Sequence, residues 1–103
     1  RNDGSKDVNF NYVQFVGDAN FGGVLFDGDV IFTSSTFMRY SRFIRVKFNG
    51  DVDFERVTFN DNARFSRVKF SENVRFVDSE FKQAANFEDA KFDNYIIFNN
   101  TKF

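Results

Sequence analysis

Carboxylates, cations and a few hydroxyls are the side chains that could do chemistry in this 103-residue chain, because histidine and cysteine are both absent. Without histidine there is no common general base, no imidazole metal ligand and no switch near neutral pH. Without cysteine there is no disulfide framework, thiol nucleophile or thiolate metal site. Ser35, Ser41 and Ser79 lack a base that could activate them. The acids Asp27, Asp29, Asp51, Asp53, Glu55, Glu72 and Asp93 could in principle supply a catalytic carboxylate pair or a calcium site. The ligand spacing of an EF-hand is missing, however, and so is the glycine-rich nonapeptide of calcium-binding β-helices. Aspartates that form turns are the plainer account. Phosphate loops and dinucleotide fingerprints are also missing. The chain therefore reads as non-enzymatic, with no cofactor expected.

The elements that must position these residues follow from the phenylalanines. They stand at 10, 15, 21, 26, 32, 37, 43, 48, 54, 59, 65, 70, 76, 81, 87, 92, 98 and 103, so the steps alternate 5, 6, 5, 6 and no phenylalanine lies off the lattice. With each phenylalanine as position i, position i−2 is always small or β-branched. It is Val at 8, 13, 24, 30, 46, 52, 57, 68 and 74 and Ala at 19, 63, 85 and 90, with Ser35, Ser41, Ser79, Ile96 and Thr101 completing the set. On a helix, residues two apart face opposite sides, whereas on a strand they share a face. The i−2 and i pair therefore reads as a short extended segment with both side chains inward, a conformation that valine and phenylalanine favour. Gly17-Asp18, Gly28-Asp29, Gly50-Asp51 and Asp61-Asn62 supply the turns between segments.

On these residues the sequence resembles the pentapeptide-repeat family, whose unit is a small residue at i−2, often Asn or Asp at i−1, Leu or Phe at i, and two variable positions. Ala19-Asn20-Phe21, Val52-Asp53-Phe54 and Ala85-Asn86-Phe87 match it, and the match runs from residue 8 to residue 103. The resemblance implies an all-β fold, a right-handed quadrilateral β-helix with four repeats per coil. Every second unit carries an extra residue: Asp18, Asp29, Tyr40, Asp51, Asn62, Asn73, Ala84 or Tyr95. A coil should then take about 22 residues, with wider turns at two opposite corners, giving four to five coils over 8–103 behind a polar segment, 1–7. Phe32, Phe37, Phe43, Phe48, Phe54, Phe59, Phe65, Phe70, Phe76 and Phe81 are the expected core, and all 18 rings should be nearly fully buried.

Residues 22 apart should be stacked neighbours, which converts the sequence into surface columns. One outward column reads Leu25, Lys47, Lys69, Lys91. The adjacent side contributes Arg42 over Arg64, and then Arg45 over Arg67. Net charge is only −1, yet 9 of the 14 basic residues fall between Arg39 and Arg75. Arg42, Arg45, Lys47, Arg64, Arg67, Lys69 and Lys91 are thus a candidate interaction surface, with a solvated face that blocks aggregation as the plainer account. The seven acids named above should gather at one corner beside it. The expected role is a protein–protein interaction or structural scaffold. The resemblance also implies an alternative, because some members bind DNA gyrase by mimicking duplex DNA. A third reading is weak nucleic-acid binding on the basic face, although Tyr12, Tyr40 and Tyr95 make a thin stacking platform. No apolar run approaches the roughly 20 residues of a spanning helix, so no membrane partner is expected. The compartment stays open, with the cytoplasm the expectation. The polar first seven residues and the core residue Phe103 at the other end suggest end-to-end association of copies, or a piece of a longer protein.

Overall fold

Each repeat unit is too short for more than one turn of helix but long enough for a two-residue strand and a corner, and that is what it forms. The computed structural model describes Gly4 and residues 6–103. Residues 1–3 and 5, part of the expected polar segment, lie outside the described residues. Among the described residues there are 17 two-residue strands and no helix.

The strands stack as four parallel sheets, one for each face of a prism. Face one holds Val8–Asn9, Val30–Ile31, Val52–Asp53, Val74–Arg75 and Ile96–Ile97. Face two holds Gln14–Phe15, Thr36–Phe37, Thr58–Phe59 and Glu80–Phe81, and a bridge from Glu80 to Lys102 extends it. Face three holds Ala19–Asn20, Ser41–Arg42, Ala63–Arg64 and Ala85–Asn86. Face four holds Leu25–Phe26, Lys47–Phe48, Lys69–Phe70 and Lys91–Phe92. Val52 pairs with Val30, Glu80 with Thr58, Ala85 with Ala63 and Lys91 with Lys69, so the coil is 22 residues on every face.

The corners are of two kinds. Between faces one and two, and between three and four, the turn is tight. The carbonyls of Phe10, Phe21, Phe32, Phe43, Phe65 and Phe87 accept the N–H three residues on, at 3.0–3.4 Å. The residue two after the phenylalanine is left-handed at all nine described tight corners: Tyr12, Gly23, Ser34, Arg45, Arg56, Arg67, Asp78, Asp89 and Asn100 have φ between 54 and 74°. The other two corners hold the extra residue, and there side chains tie coil to coil. Asp7, Asp29, Asp51 and Asn73 each accept, through Oδ1, the N–H of the residue 22 positions on, at 2.8, 2.8, 3.2 and 3.3 Å. At this corner the coils approach so closely that a Cβ on Gly50 would stand 2.6 Å from the Gly28 carbonyl oxygen.

Inside, the rings form four columns. Rings 22 apart lie nearly parallel, at 0–13°, with centroids 4.5–5.2 Å apart. The columns of faces one and three meet edge to face, as Phe43 does with Phe54 at 5.9 Å and 90°. Both arrangements suit the ring quadrupole. Phe32, Phe37, Phe43, Phe48, Phe54, Phe59, Phe65, Phe70, Phe76 and Phe81 are all buried. The expectation that every ring is buried fails at the ends. Phe10, Phe15, Phe21, Phe87 and Phe92 are half-buried, while Phe98 and Phe103 are exposed, because an outer ring has a neighbour on one side only.

Candidate interaction surface

The face-three column reads Asn20, Arg42, Arg64, Asn86 from coil to coil. The two asparagines brace their own corners. Asn20 Oδ1 accepts the Gly22 N–H at 2.8 Å, and Asn86 Oδ1 accepts the Glu88 N–H at 2.8 Å. Asn9 and Asp53 do the same on face one, at 2.7 and 2.9 Å. This is an Asx turn, which a carboxylate or amide oxygen makes and a guanidinium, with donors only, does not. Arg42 and Arg64 therefore stand where the backbone favours Asn or Asp.

The next column, at the tight corner, repeats the pattern. It reads Gly23, Arg45, Arg67, Asp89, all left-handed. Glycine takes this conformation freely and Asp tolerates it, whereas for other L-residues it costs on the order of 1–2 kcal/mol. The two middle coils again carry arginine where the outer coils carry better-suited residues. Around the corner, face four presents Leu25, Lys47, Lys69 and Lys91 in register. All seven cations thus lie on two adjacent faces and the corner between them. Six are exposed, and Lys69 is half-buried.

Lys69 reaches Asp93 at 3.7 Å, but among the described residues the other six side chains make no ion pair or hydrogen bond. The other described arginines are paired: Arg75 with Asp53 at 2.8 Å, Arg56 with Glu55 at 3.0 Å, and Arg39 with Asp18 at 3.8 Å. In-register like charges on parallel strands repel.

The acids do not share one corner. Asp27 and Asp93 edge face four, and Asp29, Asp51 and Glu72 follow at the wide corner. Asp53 points out from face one, and Glu55 lies at the tight corner beyond it. Acids close in sequence have been carried around the prism by a single coil. Among the described residues no group of three or more acids could hold a metal ion. The serines are sealed inside. Ser35 donates to the Phe32 carbonyl at 2.6 Å, and Ser79 donates to the Phe54 carbonyl and accepts the Val57 N–H at 3.3 Å. Ser41 Oγ is buried with no partner.

Two shallow clefts open on the surface. One, of about 260 Å³, lies on face one and is lined by Asp29, Asp51, Asp53, Asn73 and Arg75 among others, with its arginine already paired. The second, of about 210 Å³, lies at the wide corner between faces two and three and is lined by Tyr40, Ser41, Arg42, Asn62 and Arg64. The sequence reading placed Tyr40 and Asn62 as extra corner residues and overlooked that they stack 22 apart beside the two arginines.

The family model for pentapeptide repeats (9 copies) matches residues 5–36 and 32–79. The chain belongs to the pentapeptide-repeat family. Neither the search of curated proteins nor that of solved structures returned a match. Within this pentapeptide-repeat solenoid no described helix is long and apolar enough to cross a membrane.

Proposed function

We propose that this pentapeptide-repeat chain is a non-enzymatic scaffold whose third and fourth faces dock an acidic protein surface. The observation that carries the reading is that Arg42 over Arg64 and Arg45 over Arg67 stand in register without a paired carboxylate among the described residues, whereas Arg39, Arg56 and Arg75 elsewhere are paired. Arg42 and Arg64 forgo the Asx turn that Asn20 and Asn86 make, and Arg45 and Arg67 occupy a left-handed position held by Gly23 in the first coil. A face that only needed to stay solvated could carry charge at unstrained positions. The left-handed conformation itself is shared with Tyr12, Ser34 and Arg56 at the other tight corner, where Arg56 is paired with Glu55; what marks faces three and four is that their arginines are stacked in register and, among the described residues, unpaired. A scaffold that imitates duplex DNA would need columns of acids in place of phosphates. The outward columns instead read Asn9, Ile31, Asp53, Arg75, Ile97 on face one and Gln14, Thr36, Thr58, Glu80, Lys102 on face two. Direct nucleic-acid binding gains little from the tyrosines, since Tyr12, Tyr40 and Tyr95 sit at three different corners.

The test is a capture experiment on nuclease-treated lysate from the source, using the wild-type chain and an Arg42→Gln/Lys47→Gln/Arg64→Gln variant. Acidic proteins held by the wild type at low salt, released near 0.5 M salt as screening predicts, and absent with the variant are the expected result. Partners retained equally by both chains would overturn the proposal.

A further inference from the structure

The cleft of about 210 Å³ between faces two and three collects donors and no carboxylate. We infer that it is a receptor for one dianionic phosphate group, carried as a phosphomonoester on the acidic protein partner. The inference rests on the docking proposal above and narrows its partner to a phosphorylated one. Arg42 and Arg64 stand in register, about 4.8 Å apart along the axis, and among the described residues neither side chain has an ion pair. Asn62 Oδ1 is committed to the Ala84 N–H at 3.2 Å, so the end of that side chain left to recognise a ligand is its NH₂ donor. Tyr40, half exposed to solvent at 41 %, adds a hydroxyl. Two flanking carboxylates are engaged elsewhere, Asp18 with Arg39 at 3.8 Å and Asp61 with the Asn62 N–H at 2.8 Å.

Charge and geometry select the ligand. Two guanidiniums balance a dianion, and planar forks bind phosphate oxygens in pairs. The amide and hydroxyl then serve the remaining oxygens of a tetrahedral group, for which a planar, singly charged carboxylate has no counterpart. The cleft on face one lacks this character because Arg75 is neutralised there by Asp53. Phosphodiesters of nucleic acid carry one charge per group and would leave half of the cleft's charge unmatched.

The probe is phenyl phosphate, followed by nuclear magnetic resonance on the ¹⁵N-labelled chain. With no histidine or cysteine in the sequence, a change in affinity between pH 5.0 and 7.5 reports the ligand, whose second ionisation lies near 6. Shifts at Tyr40, Asn62 and the arginine side chains, with affinity approaching tenfold higher at pH 7.5, are the expected result. Arg64→Gln should weaken binding at least tenfold, whereas Arg56→Gln, at the tight corner between faces one and two, should change it less than twofold. A phosphoserine peptide with acidic flanks should bind at least tenfold tighter than its serine counterpart. Equal affinity at both pH values, equal loss in the two variants, or displacement of the phosphopeptide by an equal charge of duplex DNA would each overturn the inference. Failure of phenyl phosphate to bind, with partner capture still dependent on Arg42, Lys47 and Arg64, would sink the phosphate receptor and leave the docking surface standing.

Discussion

Ser41 is the residue whose chemistry fits its position least. It fills an inward slot between Ala19 and Ala63 on face three, and its hydroxyl is buried without a partner. An unsatisfied buried hydroxyl costs roughly 1–3 kcal/mol, and alanine fits the same slot in the coils on either side. Ser41→Ala should therefore stabilise the chain by about 1 kcal/mol in urea unfolding, and a loss of stability would show that the hydroxyl is satisfied in solution. Ser79 should behave in the opposite way, because its hydroxyl bridges the Phe54 carbonyl and the Val57 N–H across a coil boundary. The rings set a second contrast. Phe59 is fully buried between Phe37 and Phe81, whereas Phe103 is 73 % exposed and stacks on Phe81 alone. Phe59→Ala should cost about 3–5 kcal/mol through lost burial and a cavity, and Phe103→Ala much less. Equal losses in the two variants would contradict the burial pattern.

At the scale of the single corner, stability and charge compete, and the competition can be measured. Replacing Arg42 and Arg64 together by Asn should restore two Asx turns and remove one in-register repulsion. Each turn bond is worth about 0.5–1.5 kcal/mol, so the double variant should unfold at higher urea while losing its hold on an anionic partner. A double variant no more stable than the wild type would remove the argument that arginine is kept there for function. The wide corner offers a backbone counterpart. Gly50→Ala would drive a Cβ against the Gly28 carbonyl, and since backbone has little room to yield, the change should destabilise by roughly 1–3 kcal/mol. The corners also mark the limit of what the sequence made legible. The strand positions could be read because every phenylalanine obeys one spacing, and a 22-residue coil follows once the family resemblance supplies four units per coil. The distribution of acids could not be read from proximity along the chain. Asp51 and Asp53 are two residues apart, yet one holds the next coil at a corner and the other faces outward beside Arg75. The Tyr40 and Asn62 cleft was within reach of the same column reading, had it been extended to the extra residues as well as to the positions before each phenylalanine.

Taken whole, the prism is a one-dimensional object, and its stability should be graded along its axis. Each coil touches only the coils before and after it, so an interior coil is covered on two sides and a terminal coil on one. The burial pattern already has this form: rings from Phe26 to Phe81 are buried, Phe10, Phe15, Phe21, Phe87 and Phe92 are half-buried, and Phe98 and Phe103 reach solvent. The ladder bonds follow the same logic, since the N–H of Phe54 is held by the Arg75 carbonyl at 2.7 Å inside a stack covered on both sides. Opening such a coil exposes two ring layers, whereas opening an end coil exposes one. Local opening free energy should therefore rise from either end toward the middle. Native-state hydrogen exchange should find the slowest amides between Val46 and Phe70 and progressively faster ones toward Val8 and Ile97. Four of the seven cations of faces three and four lie in that slow stretch, at 47, 64, 67 and 69, and Arg42 and Arg45 stand just before it. The best-supported backbone would then carry most of the in-register cations of faces three and four, while Asn20, Gly23 and Asn86 stand in the outer coils. Uniform protection along the axis would mean that the prism opens as a single unit, and that the placement of the charged coils owes nothing to local stability.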